Sequence, residues 1–269
     1  MMSVFDIFNN QLPNLPIVEN LKLALNQYLS WDKKIDARNK VNLLRLSKKW
    51  KYQRGNADNL RKMMIDYQSR HQAIVQSLRH KVFCAKFTTS SRLVVGLGNP
   101  NPSENGLTFH HVYGFPLIPG SAQKGVCSHY AKEFEDLKET DPIYQEIFGN
   151  QAQKGNVIFM DAFPLLDSDT LPERLLDLDI MNPHYQEYYG SQGKIAPGDY
   201  LSPNPIEFLA VGPGVPFQFT LIMLFDKDNN ILHKAAEWLI SALEIIGIGG
   251  KTHLGYGRFC LNEDKIFNG

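Results

Sequence analysis

Residues 246–259 have the sequence Ile-Gly-Ile-Gly-Gly-Lys-Thr-His-Leu-Gly-Tyr-Gly-Arg-Phe, in which five of the fourteen residues are glycine. A glycine has no Cβ, so its backbone can adopt positive φ values and approach a partner closely. Lys251 and Arg258 add positive charge beside this backbone. Residues 247–258, which we call the glycine loop, therefore have the composition of a segment that contacts a phosphate backbone.

Two familiar phosphate-binding motifs do not fit the glycine loop. A P-loop requires a glycine five positions before the Gly-Lys pair, where this chain has Ile245. A dinucleotide-binding fingerprint that starts at Gly247 requires a glycine at the position of Thr252. Both motifs also follow a strand, whereas a helix is predicted before this loop. A helix C-cap with a tight turn is the simpler alternative.

The elements on either side of the loop are a helix and a strand. Apolar residues recur with helical spacing before the loop. They are Leu232, Ala235, Ala236, Leu239, Leu243 and Ile246. Residues 257–261 after the loop form a short extended segment. The sequence thus predicts a helix, a basic glycine loop and a final strand as one unit.

Residues 118–125, Ile-Pro-Gly-Ser-Ala-Gln-Lys-Gly, form a second glycine-containing motif, which we call the helix-start motif. Ser121 is a favourable N-cap, so a helix is predicted to begin there. The first turn of this helix would offer backbone N–H groups and the side chains of Ser121, Gln123 and Lys124 to an anion. The alternative is an ordinary capped helix with Lys124 facing solvent.

Composition narrows the class of protein. The 269-residue chain has no net charge and 43% hydrophobic residues, and none of its apolar runs is long enough to span a bilayer. These values predict a globular cytoplasmic protein without a membrane partner. Its three cysteines are scattered, which indicates neither a metal site nor a disulfide framework, and no motif indicates a cofactor.

Charge and periodicity divide the chain near residue 80. Residues 1–90 carry ten more Lys and Arg than Asp and Glu, and residues 91–269 carry ten fewer. This asymmetry suggests a basic and an acidic surface, but on charge alone the solvated faces of surface helices are the favoured explanation. Residues 1–80 have helical periodicity, with a break at Gly55-Asn56 between the second and third helices. Basic residues flank the break: Lys48, Lys49, Lys51, Arg54, Arg61 and Lys62.

Residues 81–269 alternate between strands and helices. Extended segments are predicted from Lys81, over residues 156–163, and as a hairpin over residues 206–225 around Gly212-Pro213-Gly214. Residues 164–205 are too long for a simple connector and are interpreted as an insertion. The order strand, helix, strand, hairpin, helix, strand predicts an α+β fold, a ferredoxin-like (RRM-like) domain preceded by a helical N-terminal region.

Both glycine motifs resemble segments of one family. The glycine loop resembles the G-rich loop of the RAMP superfamily of CRISPR systems, and the helix-start motif resembles that family's I-P-G-S-x-x-K-G segment. The blocks Asp161-Ala162-Phe163-Pro164 and Met181-Asn182-Pro183-His184-Tyr185 are similar to segments of type III-B members. The resemblance covers about residues 90–262.

This resemblance implies a non-catalytic subunit of a type III-B (Cmr) RNA-guided effector complex, in antiviral defence against foreign RNA. The implied partners are the 3′ part of the CRISPR RNA backbone, its duplex with target RNA, and neighbouring Cmr RAMP subunits. The expected RNA-binding residues are Ser121, Gln123, Lys124, Gly249, Gly250, Lys251, Thr252, His253 and Arg258. Such contacts hold phosphates, while base pairing reads the sequence. Because the net charge is zero, we expect the isolated chain to bind RNA weakly.

Three other functions are compatible with the sequence. Some RAMP proteins resemble metal-independent endoribonucleases, for which His110 or His111 would supply general acid–base catalysis, but spacing assigns no Lys or Tyr partner. Asp161 and Asp167 would suggest a metal-dependent nuclease, but no third carboxylate lies at ligand spacing. In a protein-only scaffold both glycine motifs would be turns.

Overall fold

The computed structural model describes residues 54–78, 81–99, 105–165, 175–182, 186–192, 205–225 and 229–268, together with residues 194, 196 and 198. Most of the predicted helical region 1–80 lies outside these residues. The described part of that region contains helix α1 (Arg54–Ser77). The break predicted at Gly55-Asn56 is misplaced, because both residues already belong to α1.

The elements after α1 follow in this order: β1 (Val82–Thr89), α2 (Gly120–Glu133), α3 (Pro142–Phe148), β2 (Val157–Phe159), β3 (Phe163–Pro164), β4 (Asp177–Met181), α4 (Gln186–Gly190), β5 (Ile206–Ala210), β6 (Pro216–Met223), α5 (Asn229–Ser241) and β7 (Phe259–Asn268). A π-helical turn, Ala242–Ile246, extends α5, and a 3-10 turn, Thr252–Leu254, lies inside the glycine loop. The mixed α+β architecture predicted from the sequence is confirmed.

A five-stranded antiparallel sheet forms the centre of the fold. Its strand order is β2-β6-β1-β7, and β3 also pairs with β6. Alternate residues of β1, including Phe83 and Phe87, are fully buried and join Phe219 of β6 in one hydrophobic core. Helices α2 and α5 add Cys127, Ala131, Trp238 and Leu239 to the same core. This period-two burial explains why the strands were recognisable in the sequence.

The hairpin predicted over residues 206–225 is wrong. Strand β5 pairs with β4, whereas β6 pairs with β1, β2 and β3. Thr88 pairs with Pro216, and Leu93 pairs with Val211 in the same antiparallel register. The two segments therefore stay aligned on both sides of Gly212-Pro213-Gly214. The buried Thr89 fixes this segment: its hydroxyl donates to the Gly212 carbonyl at 2.9 Å. The Gly-Pro-Gly segment is therefore an irregularity in a continuing strand path rather than a chain reversal.

A second, two-stranded sheet lies within and beside the predicted insertion. β4 belongs to residues 164–205 and pairs antiparallel with β5 through the whole of both strands. Phe208 and Ala210 of β5 pack with Val94, and Tyr256 of the glycine loop joins this cluster. The insertion thus contributes a strand that is packed against the glycine loop.

Helix α1 covers one side of the domain. Met64 belongs to the main core, and the Tyr67 ring meets the rings of Phe115 and Phe163 edge to face at 5.0 and 4.7 Å. Further along the helix, Val75 packs on Val82 and Ile222. Among the described residues, no helix combines the length and apolarity that crossing a membrane requires.

Candidate nucleic-acid interface

Backbone hydrogen bonds join the glycine loop to the segment that follows β1. The N–H of Gly250 donates to the Val94 carbonyl, and that of Gly257 donates to the Arg92 carbonyl, both at 2.7 Å. A Cβ on Gly249 would lie 2.2 Å from the Val94 carbonyl oxygen, and one on Gly257 would lie 1.9 Å from that of Ile248. These two glycines are therefore required for packing within the protein, because a real Cβ cannot approach so closely.

The centre of the loop leaves several backbone donors open. Four N–H groups of the loop have no hydrogen-bond acceptor among the residues that the structure describes. They belong to Gly249, Lys251, Thr252 and His253. Lys251 has a left-handed backbone (φ 61°, ψ 28°), and the 3-10 turn starts directly after it. Successive N–H groups in such a conformation form a concavity that binds anions.

The cationic side chains of the loop are placed differently. The Lys251 Nζ lies 5.3 Å from the centroid of the Phe208 ring, which orients the ammonium group by a cation–π contact. His253 and Arg258 are exposed. The Arg258 backbone is fixed, since its N–H donates to the Ser91 hydroxyl at 3.0 Å. Neither Lys251 nor Arg258 forms an ion pair with a carboxylate among the described residues.

The helix-start motif is largely satisfied by the protein itself. Helix α2 begins at Gly120 and has Pro119 at its N-cap, so the prediction of Ser121 as the N-cap is wrong. The Gly120 N–H donates to the Asp161 carboxylate at 2.8 Å. The N–H groups of Ala122 and Gln123 donate to the Pro119 carbonyl. A protein carboxylate therefore already occupies the anion position at this helix terminus.

Gln123 requires a correction to the expected set of RNA-binding residues. Its side chain is fully buried, and its amide nitrogen donates to the Met160 carbonyl at 2.6 Å and the Ile118 carbonyl at 3.3 Å. The side chain joins α2 to the segment after β2 and does not reach the surface. Ser121 and Lys124 of the same motif do face outward, into an open groove that α3 and Asn150 border on the other side.

Four residues that were not among the expected RNA-binding residues connect the glycine loop to strand β4 through side-chain interactions. They are Arg92, Asp177, Asp179 and Tyr256, which we call the Arg92 network. Arg92 pairs with Asp177 at 2.9 Å and with Asp179 at 3.2 Å, and the Tyr256 hydroxyl donates to Asp179. The hydrogen bond to Asp177 raises the pKa of Arg92. Burial, together with the hydrogen bond to Asp179, raises the pKa of Tyr256 to about 12.

Sequence reasoning missed the Arg92 network, although one indication was present. Asp177-Leu178-Asp179-Ile180 alternates polar and apolar residues, which is typical of a half-buried strand. The alternation lies within the segment that was interpreted as an insertion. The pairing of both aspartates with one arginine, which precedes Asp177 by 85 residues, could not be inferred from spacing.

The described residues of the alternative catalytic hypotheses do not form a catalytic arrangement. The His110 Nδ1 accepts hydrogen bonds from the backbone N–H groups of Val112 and Tyr113, both at 3.2 Å, and the ring packs on Tyr67. His111 lies on the exposed turn beside it. Asp161 caps helix α2, and Asp167 lies outside the described residues. No cluster of three or more potential metal ligands occurs among the residues that the structure describes.

Comparison with known proteins agrees with the two motifs and the fold. The family model of the RAMP superfamily matches residues 86–260. The chain therefore belongs to the RAMP superfamily, and the matched segment extends from β1 to the first residues of β7, with both glycine motifs inside it.

Two curated relatives and one solved structure make the similarity more specific. The CRISPR system Cmr subunit Cmr6 of Pyrococcus furiosus is 35% identical over 228 residues, which cover 64% of this chain and 66% of that protein. Cmr6 of Saccharolobus solfataricus is 28% identical over 197 residues, with 72% and 62% covered. The chain thus spans just under two thirds of each relative's length. A chain in a cryo-EM structure of the type III-B Cmr-beta complex bound to cognate target RNA shares the fold, with a TM-score of 0.64 over 98% of this chain and 90% of that chain at 20% identity.

Proposed function

We propose that the chain is a non-catalytic subunit of a type III-B (Cmr) RNA-guided effector complex in the cytoplasm. In this role it binds the 3′ part of the CRISPR RNA, contacts the duplex with target RNA, and packs against neighbouring RAMP subunits. Membership of the RAMP superfamily and two relatives that are Cmr6 subunits support the proposal. The observation that carries it is the group of open N–H donors beside Lys251 in the glycine loop.

The proposed contact is made to phosphates rather than to bases. Open backbone donors and cationic side chains neutralise and hydrogen-bond phosphate oxygens without discriminating between nucleotides. Guide pairing with the target supplies sequence specificity in RNA-guided complexes. The principal contact residues in this proposal are Gly249, Lys251, Thr252, His253 and Arg258, with Ser121 and Lys124 as a weaker second contact. Gly250, whose N–H already donates to the Val94 carbonyl, would contribute only close approach of its backbone.

The domain that carries this loop is proposed to be ferredoxin-like and to comprise residues 81–269. The strand order β2-β6-β1-β7, with α2 joining β1 to β2 and α5 joining β6 to β7, supports this arrangement. It corresponds to a split βαβ pattern in which each helix connects two strands that flank a third. The β4–β5 sheet is then an insertion into the connection between β2 and β6.

The proposal predicts that removing positive charge from the glycine loop weakens guide retention. The test compares reconstituted complexes that contain the wild-type chain or the double variant Lys251→Gln with Arg258→Gln, which keeps most of both side-chain stems. The matched control, Lys132→Gln with Lys234→Gln, removes one cation on α2 and one on α5, each of which is already paired with a carboxylate. We expect about tenfold weaker retention of labelled guide for the loop variant only. Equal retention by the loop variant and the control would contradict the proposal.

A further inference from the structure

The Arg92 network joins three segments that are distant in sequence. Arg92 follows β1, the two aspartates lie on β4, and Tyr256 lies in the glycine loop. One carboxylate oxygen of Asp179 accepts a hydrogen bond from the Tyr256 hydroxyl and forms an ion pair with an Arg92 nitrogen. Asp177 accepts a hydrogen bond from the Arg92 Nε. The network therefore connects the loop, through side chains, to a sheet with which it shares no backbone pairing.

Both aspartates are also held by their own strand. Asp177 accepts a second hydrogen bond from the Leu178 N–H at 3.1 Å, and Asp179 accepts one from the Ile180 N–H at 2.8 Å. Each carboxylate thus uses one oxygen for β4 and the other for the network. This arrangement fixes the direction in which Asp179 receives Tyr256, because the carboxylate cannot rotate without losing a backbone hydrogen bond.

The network continues to the proposed RNA contact through Phe208. Asp179 is the cross-strand neighbour of Phe208 in the β4–β5 ladder. The Phe208 ring lies 6.2 Å from the Tyr256 ring and carries the Lys251 ammonium above its face. In addition, the backbone carbonyl of Arg92 accepts the Gly257 N–H. The position of Lys251 therefore depends on the same groups that the network holds.

The charges of the network indicate positioning rather than RNA contact. The Arg92 side chain is 42% exposed but faces two carboxylates, with Asp177 24% and Asp179 19% exposed. Two negative charges around one guanidinium leave no net positive charge for a phosphate. Ion pairs this accessible to solvent contribute little to global stability. Their more important effect is on the geometry of the loop that they fasten.

We propose that Arg92, Asp177, Asp179 and Tyr256 are positioning residues for the glycine loop, so that RNA affinity depends on them although none contacts RNA. The inference rests on the proposed function of the loop. It assigns the insertion strand β4 a role in RNA binding that is independent of any contact of its own with the nucleic acid. The Tyr256 hydroxyl is the most selective place to test it, because Tyr256→Phe removes one hydrogen bond and keeps the ring beside Phe208.

The test is a double-mutant cycle with the full chain and a labelled single-stranded RNA at low salt. The four proteins are the wild type, Lys251→Gln, Tyr256→Phe and the double variant. If Tyr256 positions Lys251, we expect Tyr256→Phe to weaken binding by about threefold, and Lys251→Gln to cost less in that background than in the wild type. Tyr188→Phe, on the short helix α4, is the matched control for loss of a tyrosine hydroxyl.

The salt dependence separates positioning from general destabilisation. The slope of log affinity against log salt counts phosphate contacts, and each lost contact reduces it by about 0.7 for a single strand. We expect Tyr256→Phe to reduce this slope, as Lys251→Gln does. Independent effects of the two substitutions, or an unchanged slope for Tyr256→Phe, would overturn the positioning role alone. No effect of Lys251→Gln would overturn the proposed function and, with it, this inference.

Discussion

The glycine loop and the helix-start motif contain the same residue types, glycine beside lysine, and the structure uses them for different purposes. At the start of α2, the Asp161 carboxylate receives the terminal N–H, and Gln123 is buried against backbone carbonyls. In the loop, four N–H groups and two cations remain without an acceptor or ion pair among the described residues. A glycine–lysine motif therefore indicates a ligand site only where the protein does not itself satisfy the donors.

The largest effect is expected from filling the space that Gly120 leaves. A Cβ there would lie 1.9 Å from the Phe159 carbonyl oxygen, which belongs to a strand and cannot move aside. Gly120→Ala should lower the free energy of unfolding by about 3 kcal/mol, measured by urea denaturation. Gly125→Ala in the same helix, with no heavy atom within 4 Å, is the control and should raise it by about 0.5–1 kcal/mol. Similar effects at both positions would show that the motif is not required for packing.

A second effect separates the two motifs by their contribution to RNA affinity. Lys251→Gln should weaken the binding of labelled single-stranded RNA at low salt by about fivefold, because it removes the proposed phosphate contact of the loop. Lys124→Gln should weaken it by no more than about twofold, because the helix terminus is already neutralised by Asp161. Fluorescence anisotropy measures both affinities. A larger loss for Lys124→Gln would reverse the assignment of the principal contact.

A third effect tests whether Asp161 caps helix α2. Asp161→Asn removes the negative charge at the helix terminus and should lower the free energy of unfolding by about 1 kcal/mol. Glu133→Gln, at the C-terminal end of the helix, controls for loss of a carboxylate charge and should raise the free energy of unfolding slightly, because a negative charge is unfavourable at that end of the dipole. If Asp161→Asn instead leaves stability unchanged, the carboxylate is not a cap of energetic importance. If it strengthens RNA binding several-fold, the helix terminus is a latent anion site.

The smallest expected effect is a loss of stability at alkaline pH, caused by ionisation of Tyr256 in the glycine loop. The pKa of Tyr256 is raised to about 12 in the folded protein, from an ordinary value of 10.0. A group whose pKa is raised on folding stabilises the protein below its unfolded pKa, and this contribution is lost as pH rises towards the folded pKa. The wild type should therefore lose stability relative to Tyr256→Phe between about pH 10 and pH 12. Parallel stability profiles for the two proteins would contradict the raised pKa of Tyr256 and its causes, burial and the hydrogen bond to Asp179.

These differences show which parts of the architecture are encoded locally. Alternating burial in β1 and the apolar stripe of α5 each follow from neighbouring residues, so both elements were predictable from periodicity. The Gly212-Pro213-Gly214 segment had the composition of a reversing turn. Its actual role depends on the buried Thr89, more than 120 residues away, whose hydroxyl holds it in a continuing strand. No local pattern contains that information.

For the candidate site, the sequence likewise showed the local features but not the contacts between distant segments. Lys251 and Arg258 were candidates because charge beside glycine is visible in the sequence, and their role in RNA binding stays a prediction. The burial of Gln123 could not be predicted, since a polar residue at the start of a helix usually faces solvent. Asp161 and the Arg92 network act through contacts between distant segments, and spacing along the chain does not reveal them. Local chemistry thus identified the loop, while the tertiary structure determined which donors remain open.

The most direct test of the central claim, that the glycine loop rather than the helix-start motif is the principal RNA contact, is photo-crosslinking in the reconstituted complex. A guide RNA carrying 4-thiouridine in its 3′ part would be irradiated, and the crosslinked peptides identified by mass spectrometry. We expect crosslinks from this chain to concentrate in residues 247–258 and to decrease in the double variant Lys251→Gln with Arg258→Gln. Crosslinks confined to residues 118–125, or to segments distant from both motifs, would contradict this claim.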